Sequence, residues 1–517
     1  MVFDWLFQNW PWALFFIIFG AGLVLMRRLP NTQIIGNILF KINSTRGISF
    51  MDRAGRRYSR FWIFVGNMAL VLLFGGLGTA YITSNHDRKG RAIILALLVF
   101  FTLFVYLGPN IITLFPFAAF LSPNLLALLV AVVFSVAAYG LSIHTSRKAA
   151  TVGAFIVAIL FFGAPYFLTY AQFGGPYWLL IGTAVGILGL PAILIVNLLV
   201  QAGSIAAGES TTPGINIGYP DIEKGLPVLK YAGTNISIPI FPDILLSIVL
   251  LLIFHEGFHG LLSRAQGIRL KNTGLLFASI VPLGAFVEPD EKQFRKEELS
   301  KRLRVYAAGS FANIFVVAFI TFLIAGAMVE SGTVRADGFL IDYVVVNSSA
   351  DGLLEPGETV YSVGGVPTPT FYDFSQLMQN KTPGEELQIV TQNRTVTVTL
   401  GPAPDDESRG FVGLGRKFDP IIGIFAPRLA TSHIEPSLGA SIFGLLKWIF
   451  LLNLMIGLIN LLPVRPLDGG YVYEGLFEWV EKGLPFGRRI HLARIFSRAF
   501  MLLILGIFLI NFYPYLL

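Results

Sequence analysis

The chain has 517 residues, of which 54% are hydrophobic and 13% are charged, whereas about 25% of residues are charged in soluble domains. A water-soluble fold has too little interior for this much apolar surface, so the composition excludes a wholly soluble protein and indicates one that spans a bilayer. The net charge of +7 is typical of basic loops on the cytoplasmic side of a membrane, so we expect no nucleic-acid partner, and the lack of cysteine excludes disulfides and cysteine metal sites.

Ten stretches of the chain are apolar over roughly the 20 residues that a helix needs to cross a bilayer. They lie near residues 10–26, 61–83, 92–121, 125–143, 151–171, 177–202, 243–263, 303–328, 440–463 and 496–516. The third contains Gly108, Pro109 and Asn110, and we interpret it as one kinked span or as a span with a re-entrant segment. The predicted fold class is therefore a polytopic α-helical membrane protein with about ten spans.

Lysine and arginine concentrate in three loops between these stretches, at residues 27–60, 264–302 and 482–494. Loops rich in these residues stay on the cytoplasmic side, and ten spans then put both chain ends outside. The first apolar stretch lacks the basic region and cleavage site of a signal peptide, so we interpret it as a retained span. We expect a multi-pass protein of a prokaryotic cytoplasmic membrane.

Residues 331–426 differ from the rest because polar and apolar residues alternate there and turn sequences recur. Segments 389–390 and 396–400 predict strands, and residues 372–380 predict a short helix. This pattern predicts a small α+β domain inserted between two spans. The count of spans puts this domain on the extracytoplasmic side.

The first candidate site is a group of three ionisable residues in the middle of an apolar stretch. On a helix His255 and His259 share one face, and this spacing lets both imidazoles bind one zinc ion. Glu256 can take a proton from the attacking water without binding the metal. Chance is the alternative, but an ionisable group at the centre of a bilayer costs about 2.5–3.5 kcal/mol and is usually functional. The pattern therefore predicts a metal site.

A catalytic zinc ion needs a third protein ligand and an open position. Glu288 and Glu291 are near in sequence but lie in a hydrophilic stretch beyond the span. A better candidate is Asp468, which follows an apolar stretch in a segment with two prolines and two glycines. A broken backbone at membrane depth is tolerated where it lines a cavity or is buried in protein, so this segment can carry Asp468 to the metal. The alternative role for Asp468 is an ordinary helix cap.

The histidine motif and the Asn-x-x-Pro-x-x-Pro-x-Asp-Gly pattern that starts at Asn460 together resemble the motifs of the site-2 protease family of intramembrane zinc metalloproteases. The resemblance implies one zinc ion per chain, bound by His255, His259 and Asp468. It implies that Glu256 is the general base. It also implies that Asn460 donates a hydrogen bond to the developing oxyanion.

Another resemblance to this family lies between the histidine motif and the next span. In the family such a segment forms a membrane-associated hairpin whose exposed edge pairs with an unwound substrate. The matching residues, which we expect to bind substrate, are Gly284, Ala285, Phe286 and Val287. An ordinary interfacial loop is the alternative for this segment.

The resemblance covers residues 240–516 and includes a match from Gly309 to Asn313, which we interpret as a helix-packing signature. The inserted domain resembles a PDZ domain, with Gly338–Ile341 as the segment that would accept a peptide end. Binding of a peptide ligand and exclusion of bulky substrates by size are both open for this domain.

The predicted organisation has four parts. Residues 1–240 form a membrane region of about six spans with no assigned role, and residues 241–330 form the first half of the catalytic core, with the histidine motif and the hairpin. The PDZ-like domain occupies residues 331–426. Residues 427–517 form the second half of the core and contain Asp468.

The predicted function is hydrolysis of peptide bonds within or near a transmembrane segment of membrane-protein or peptide substrates, toward the cytoplasmic side of the bilayer. A zinc transporter is the first alternative, in which the histidines form a transit site. It predicts further polar residues along a path across the bilayer, and the spans that carry the motifs have few. A non-catalytic binding protein that uses the PDZ-like domain is the second alternative.

Overall fold

The computed structural model describes most of the chain. The described residues are 10–35, 38–107, 123–209, 218–223, 226–231, 237–239, 242–279, 281–416, 420–426, 429–483 and 491–515. The chain divides into two compact units. The first unit combines Met1–Ile240, Val249–Ile314 and Met455–Leu517, and the second combines Phe241–Ile248 and Phe315–Leu454.

Helices make up most of the chain, because a helix satisfies its backbone hydrogen bonds internally, as a bilayer requires. In chain order the helices are α1 (Trp10–Arg28), α2 (Arg46–Arg57), α3 (Ser59–Asn85), α4 (Arg88–Leu107), α5 (Pro123–His144), α6 (Arg147–Phe173), α7 (Tyr177–Leu188), α8 (Leu190–Ala206), α9 (Pro242–Ala265), α10 (Glu291–Lys296), α11 (Leu299–Phe311), α12 (Phe319–Glu330), α13 (Phe371–Met378), α14 (Pro420–Phe425), α15 (Leu438–Asn460), α16 (Asp468–Gly483) and α17 (Leu492–Phe512). A π-helix, Ala312–Ala318, joins α11 to α12.

Within the described part of the chain, eight helical segments are long and apolar enough to cross a membrane, fewer than the ten predicted spans. The predicted span 177–202 is two shorter helices, α7 and α8, which meet at Gly189. Gly189 has a left-handed backbone with φ +81°, a conformation that residues with side chains rarely adopt and that ends α7. The predicted first span corresponds to α1, of which only some side chains are described, and residues 108–121 of the predicted third span lie outside the described residues.

Strands form four separate sheets in the described residues. In chain order the strands are β1 (Thr32–Ile35), β2 (Leu39–Ser44), β3 (Gly218–Glu223), β4 (Leu226–Tyr231), β5 (Ser237–Pro239), β6 (Leu270–Ala278), β7 (Val281–Pro289), β8 (Ala336–Val344), β9 (Thr359–Val363), β10 (Val366–Pro367), β11 (Glu386–Thr391), β12 (Thr395–Thr399), β13 (Gly401–Ala403), β14 (Asp406–Phe411), β15 (Leu414–Arg416) and β16 (Ser432–Ile434). The sheet of the first unit that matters most here has the antiparallel order β1-β2-β6-β7, so a hairpin from the N-terminal region extends the β6–β7 hairpin.

The second unit contains a small β-rich domain with a seven-stranded sheet of order β12-β11-β9-β8-β15, to which β10 and β16 add. Side chains of β11 alternate between exposed and buried, and Ile389 on this strand joins Phe339 and Val360 in the core. Helix α13 begins with a capping box between Thr370 and Asp373. The alternation in the sequence therefore predicts this domain correctly at the level of a small inserted α+β module.

One detail of the predicted domain is wrong. Strand β8 contains Gly338–Ile341, yet both of its edges are occupied, because Phe339 pairs with Val360 on β9 and with Ser432 on β16. A peptide therefore cannot add to β8 as an extra strand. The sequence did not reveal this, because β16 comes from beyond residue 426.

The N-terminal region packs directly against α16, the helix that begins at Asp468. Tyr473 on α16 is 2% exposed, donates its hydroxyl hydrogen to the carbonyl of Leu188, and packs edge-on against the ring of Phe74. An edge-on pair of aromatic rings stabilises a contact by more than the burial of its apolar area would contribute alone. Helices α3 and α7 thus support the helix that carries Asp468.

Candidate metal centre

Helix α9 carries His255 and His259 on one face, as their spacing predicts. Their rings lie edge to face with centroids 4.8 Å apart, and the two Nε2 atoms are 3.2 Å apart. His255 is 8% exposed and the His259 side chain is 12% exposed. Two imidazole nitrogens that face each other this closely in a buried place share either a proton or a cation.

Asp468, the first residue of α16, completes the cluster. Its Oδ2 atom lies 3.3 Å from Nε2 of His255 and 3.2 Å from Nε2 of His259, and it has no hydrogen-bond partner among the described residues. The turn before α16 is tight enough to require Gly469, where a Cβ atom would lie 1.9 Å from the carbonyl oxygen of Leu461. The broken helix that the sequence predicts therefore brings Asp468 to the histidines.

The three ligand atoms fit a zinc ion. Zinc bound by nitrogen and oxygen at about 2.0–2.1 Å in a tetrahedron has ligands about 3.3 Å apart, and the three separations here are 3.2, 3.3 and 3.2 Å. A buried carboxylate oxygen without a donor is costly unless a cation or a donor compensates it. Among the described residues, His255, His259 and Asp468 form a group of side chains whose ligand atoms lie close enough together to hold one metal ion.

Two further residues orient the imidazoles. Nδ1 of His259 lies 2.6 Å from the carbonyl oxygen of Val305, so the ring donates its proton there and leaves the lone pair of Nε2 for the metal. Nδ2 of Asn313, whose side chain is fully buried, lies 3.1 Å from Nδ1 of His255. When Nε2 of His255 faces the metal, Nδ1 carries the proton, so the carboxamide of Asn313 must be turned over to accept this proton through its oxygen.

Gly309 lets α11 approach the two histidines. A Cβ atom at this position would lie 2.4 Å from Nε2 of His259 and 2.6 Å from Nε2 of His255, closer than real side chains ever come. The backbone of α11 and of the first residues of the π-helix thus forms one wall of the centre, from Val305 to Asn313. The sequence around Gly309 predicts close helix packing, and the partner in this packing is the histidine pair.

Glu256 lies beside the cluster and faces the sheet of the first unit. Its Oε2 atom accepts a hydrogen bond of 2.9 Å from the backbone N–H of Val287 on β7. The residues Gly284 to Val287 therefore form an edge strand next to the glutamate, and they are not an irregular loop.

Asn460 is the last residue of α15 and is partly buried. Among the described residues no hydrogen bond joins its side chain to the histidines or to Asp468. Its predicted role in binding an oxyanion stays a prediction.

The carbonyl of Val305 is a functional group that the sequence does not predict. Every residue type has a backbone carbonyl, so the identity of residue 305 does not indicate that its carbonyl accepts a hydrogen bond from His259.

The fold and this cluster define a polytopic membrane protein with a possible zinc centre between two spans and a broken helix. Residues 243–505, about half of the chain, match the model of Peptidase family M50, and the chain belongs to this family, the site-2 protease family.

Two of the three relatives that follow carry names that agree with this family. An uncharacterized protein of Methanocaldococcus jannaschii is 25% identical over 261 residues, which cover 50% of this chain and 63% of that protein. Zinc metalloprotease RasP of Bacillus licheniformis is 24% identical over 260 residues, covering 42% and 60%. The chloroplastic membrane metalloprotease ARASP of Arabidopsis thaliana is 25% identical over 378 residues, covering 57% and 83%. The chain thus spans about 60% of the length of the first two relatives.

Proposed function

We propose that this protein is an intramembrane zinc metalloprotease that hydrolyses peptide bonds within or near a transmembrane segment of membrane-protein substrates. One observation carries the proposal: three buried ligand atoms lie at the separations that zinc requires, with Glu256 next to them on the same helix. The family membership and the names of the relatives support the same reading.

His255, His259 and Asp468 would hold the zinc ion, which when bound polarises the scissile carbonyl and makes water a stronger nucleophile. Glu256 takes the proton of the attacking water on its carboxylate and passes it to the leaving nitrogen. Burial of the three ligands strengthens each electrostatic interaction at the site, because little water screens them. Asn460 supplies a hydrogen bond to the developing oxyanion.

The substrate enters as an extended segment that pairs with the edge of β7, at residues Gly284 to Val287. An edge strand presents unpaired N–H and C=O groups, and strand addition is a common way to bind an unwound peptide. Unwinding is necessary because a helix shields the amides that must be attacked. The edge position of β7 and its contact with Glu256 support this role.

The four-part organisation predicted from the sequence is kept in the proposal. The region 1–240 serves as a scaffold, which its packing on α16 and its two strands in the β7 sheet support. The halves 241–330 and 427–517 form the catalytic core. The domain at 331–426 is PDZ-like and binds a peptide or excludes bulky substrates by size.

The active site lies toward the cytoplasmic side in this proposal. Two of the basic loops meet in the first unit, because Asp52 on α2 pairs with Arg264 at the end of α9 and Lys41 pairs with Glu288. Loops that meet lie on one side of the bilayer, and their positive charge favours the cytoplasmic side. The localisation is then a prokaryotic cytoplasmic membrane.

The test compares purified wild type with Glu256→Gln and with Glu291→Gln, a control that changes an exposed glutamate outside the cluster. We expect about one zinc ion per chain in all three proteins. Cleavage of a panel of single-span membrane proteins should fall about 10²–10⁴-fold in Glu256→Gln alone. Wild-type cleavage by Glu256→Gln would refute the mechanism. Zinc flux into liposomes without any cleavage would favour a transporter.

A further inference from the structure

The edge of strand β7 that faces away from β6 carries backbone groups of two kinds. Some are already hydrogen-bonded within the protein, and others are available to a substrate. In the described part of the chain, strand β7 is the last strand of its sheet, with β6 as its neighbour. The N–H of Val287 on this strand is already used, because it donates to Oε2 of Glu256 at 2.9 Å. The edge that would bind substrate is therefore partly occupied by the proposed general base.

The register of the sheet decides which other groups point the same way. Val287 lies opposite Thr273, and Ala285 lies opposite Leu275, with no register shift between the two pairs. In antiparallel sheets, hydrogen-bonded and non-hydrogen-bonded pairs alternate. Since the N–H of Val287 points to Glu256 and away from β6, the N–H and C=O of Ala285 also point to the free edge.

Both faces of β7 are held in place by packing. Lys41 from β2 reaches across the sheet to Glu288 at 3.2 Å and lies 4.2 Å from the centre of the Phe286 ring. On the other face, the Val287 side chain lies close to α9, where a Cβ atom at Gly260 would be 3.2 Å from it. Val287 therefore presents its N–H to Glu256 from a fixed position.

We propose that the edge is divided between catalysis and substrate binding. The N–H of Val287 is a positioning group that fixes the Glu256 carboxylate, while the N–H and C=O of Ala285 bind the extended substrate, so that the scissile bond comes to lie beside Val287. A backbone N–H that donates to a carboxylate forms a strong hydrogen bond with defined direction, and it removes the rotational freedom of a long side chain before the reaction. This inference rests on the proposed function.

Proline substitutions separate the two roles, because proline removes one N–H and is tolerated where that N–H faces the free edge. In Val287→Pro we expect kcat to fall about 10–100-fold with little change in KM, since a hydrogen bond to a charged group is lost. In Ala285→Pro, the matched substitution two residues earlier, we expect KM to rise with little change in kcat. Val287→Ile is the control, because it changes the side chain and keeps the N–H. Its kcat should be about 10–100-fold higher than the kcat of Val287→Pro.

The kinetic assay uses full-length protein in detergent and a single-span membrane protein that wild type cleaves. If both proline variants change the same kinetic constant, or if Val287→Pro keeps the wild-type kcat, the division of the edge is refuted. Loss of zinc from either variant would show a folding defect and would also count against the proposal, which assigns neither N–H to the metal centre.

A second measurement needs no substrate. Hydrogen–deuterium exchange of the β7 backbone should gain one fast amide in Glu256→Ala, which removes the acceptor, and should not change in Glu291→Ala. Unchanged exchange of β7 in Glu256→Ala would refute the contact with Val287. If no variant cleaves any membrane protein, the proposed function fails, while this exchange result still decides whether the edge holds Glu256.

Discussion

A single methyl group added at Gly309 is expected to weaken zinc binding strongly. The added Cβ atom would lie 2.4 Å from Nε2 of His259, and an ordinary contact begins at 3.4 Å, so this nitrogen would retreat by about 1 Å (3.4 minus 2.4). That retreat is about half of a zinc–nitrogen bond of roughly 2.0–2.1 Å. The same Cβ atom also meets Nε2 of His255, at 2.6 Å. The backbone of α11 cannot move away from the histidines instead, because the residues of α11 around Gly309 are buried.

Changes that only disturb the orientation of a metal ligand lower metal affinity about 10–100-fold. Gly309→Ala displaces two ligands directly, so we expect a loss of about 100-fold or more, equivalent to about 2.8 kcal/mol. The assay is competition for zinc against a chelator of known affinity, with purified full-length protein. The matched control is Gly257→Ala in the histidine motif, where a Cβ atom meets nothing within 4 Å. Wild-type affinity in Gly309→Ala, or equal losses in both variants, would refute the geometry of the centre.

Three further changes have definite expected outcomes. Asn313→Leu removes the carboxamide that orients one imidazole, and chelator competition should show zinc affinity about 10–100-fold lower; an unchanged affinity would contradict that role. Asp52→Asn leaves the buried guanidinium of Arg264 without its carboxylate and should cost about 1–3 kcal/mol, seen as a lower midpoint of thermal unfolding. In the β-rich domain, the backbone N–H of Thr382 lowers the pKa of Glu385 from 4.5 to about 2. Because the folded pKa is depressed, this carboxylate stabilises the fold above about pH 4.5 and less as pH falls toward 2. The midpoint difference between wild type and Glu385→Gln should shrink over that range, and a constant difference would contradict the assignment.

The histidine motif was readable from sequence because its geometry is local. An i, i+4 pair on a helix faces one way whatever surrounds it, so His255 and His259 could be paired without knowing the fold. Asp468 is more than two hundred residues away from the histidines. The residues around Asp468 do not predict that the turn before α16 contacts α9. The resemblance to a family supplied that link, and the distances to the two histidines agree with it.

Other parts of the site depend on contacts that leave no pattern in the sequence. The carbonyl of Val305 binds His259 by position alone, and any residue type would offer the same acceptor. The hairpin β1–β2 joins the sheet of β6 and β7 by backbone pairing between strands that are far apart in the sequence. An alternation of polar and apolar residues predicts that a strand forms, but it does not predict which strand it pairs with. The break at Gly189 was missed because average hydropathy over a window does not register one left-handed residue.

The central proposal is that Glu256 and the zinc ligands cut a peptide bond inside or next to a membrane span. Mass spectrometry of the products from one single-span substrate, incubated with wild type and with Glu256→Gln, locates the cut. We expect wild type to give two fragments whose new ends lie within or beside the span, and Glu256→Gln to give none. A cut in a soluble domain far from the span, or the same fragments from both proteins, would contradict the proposal.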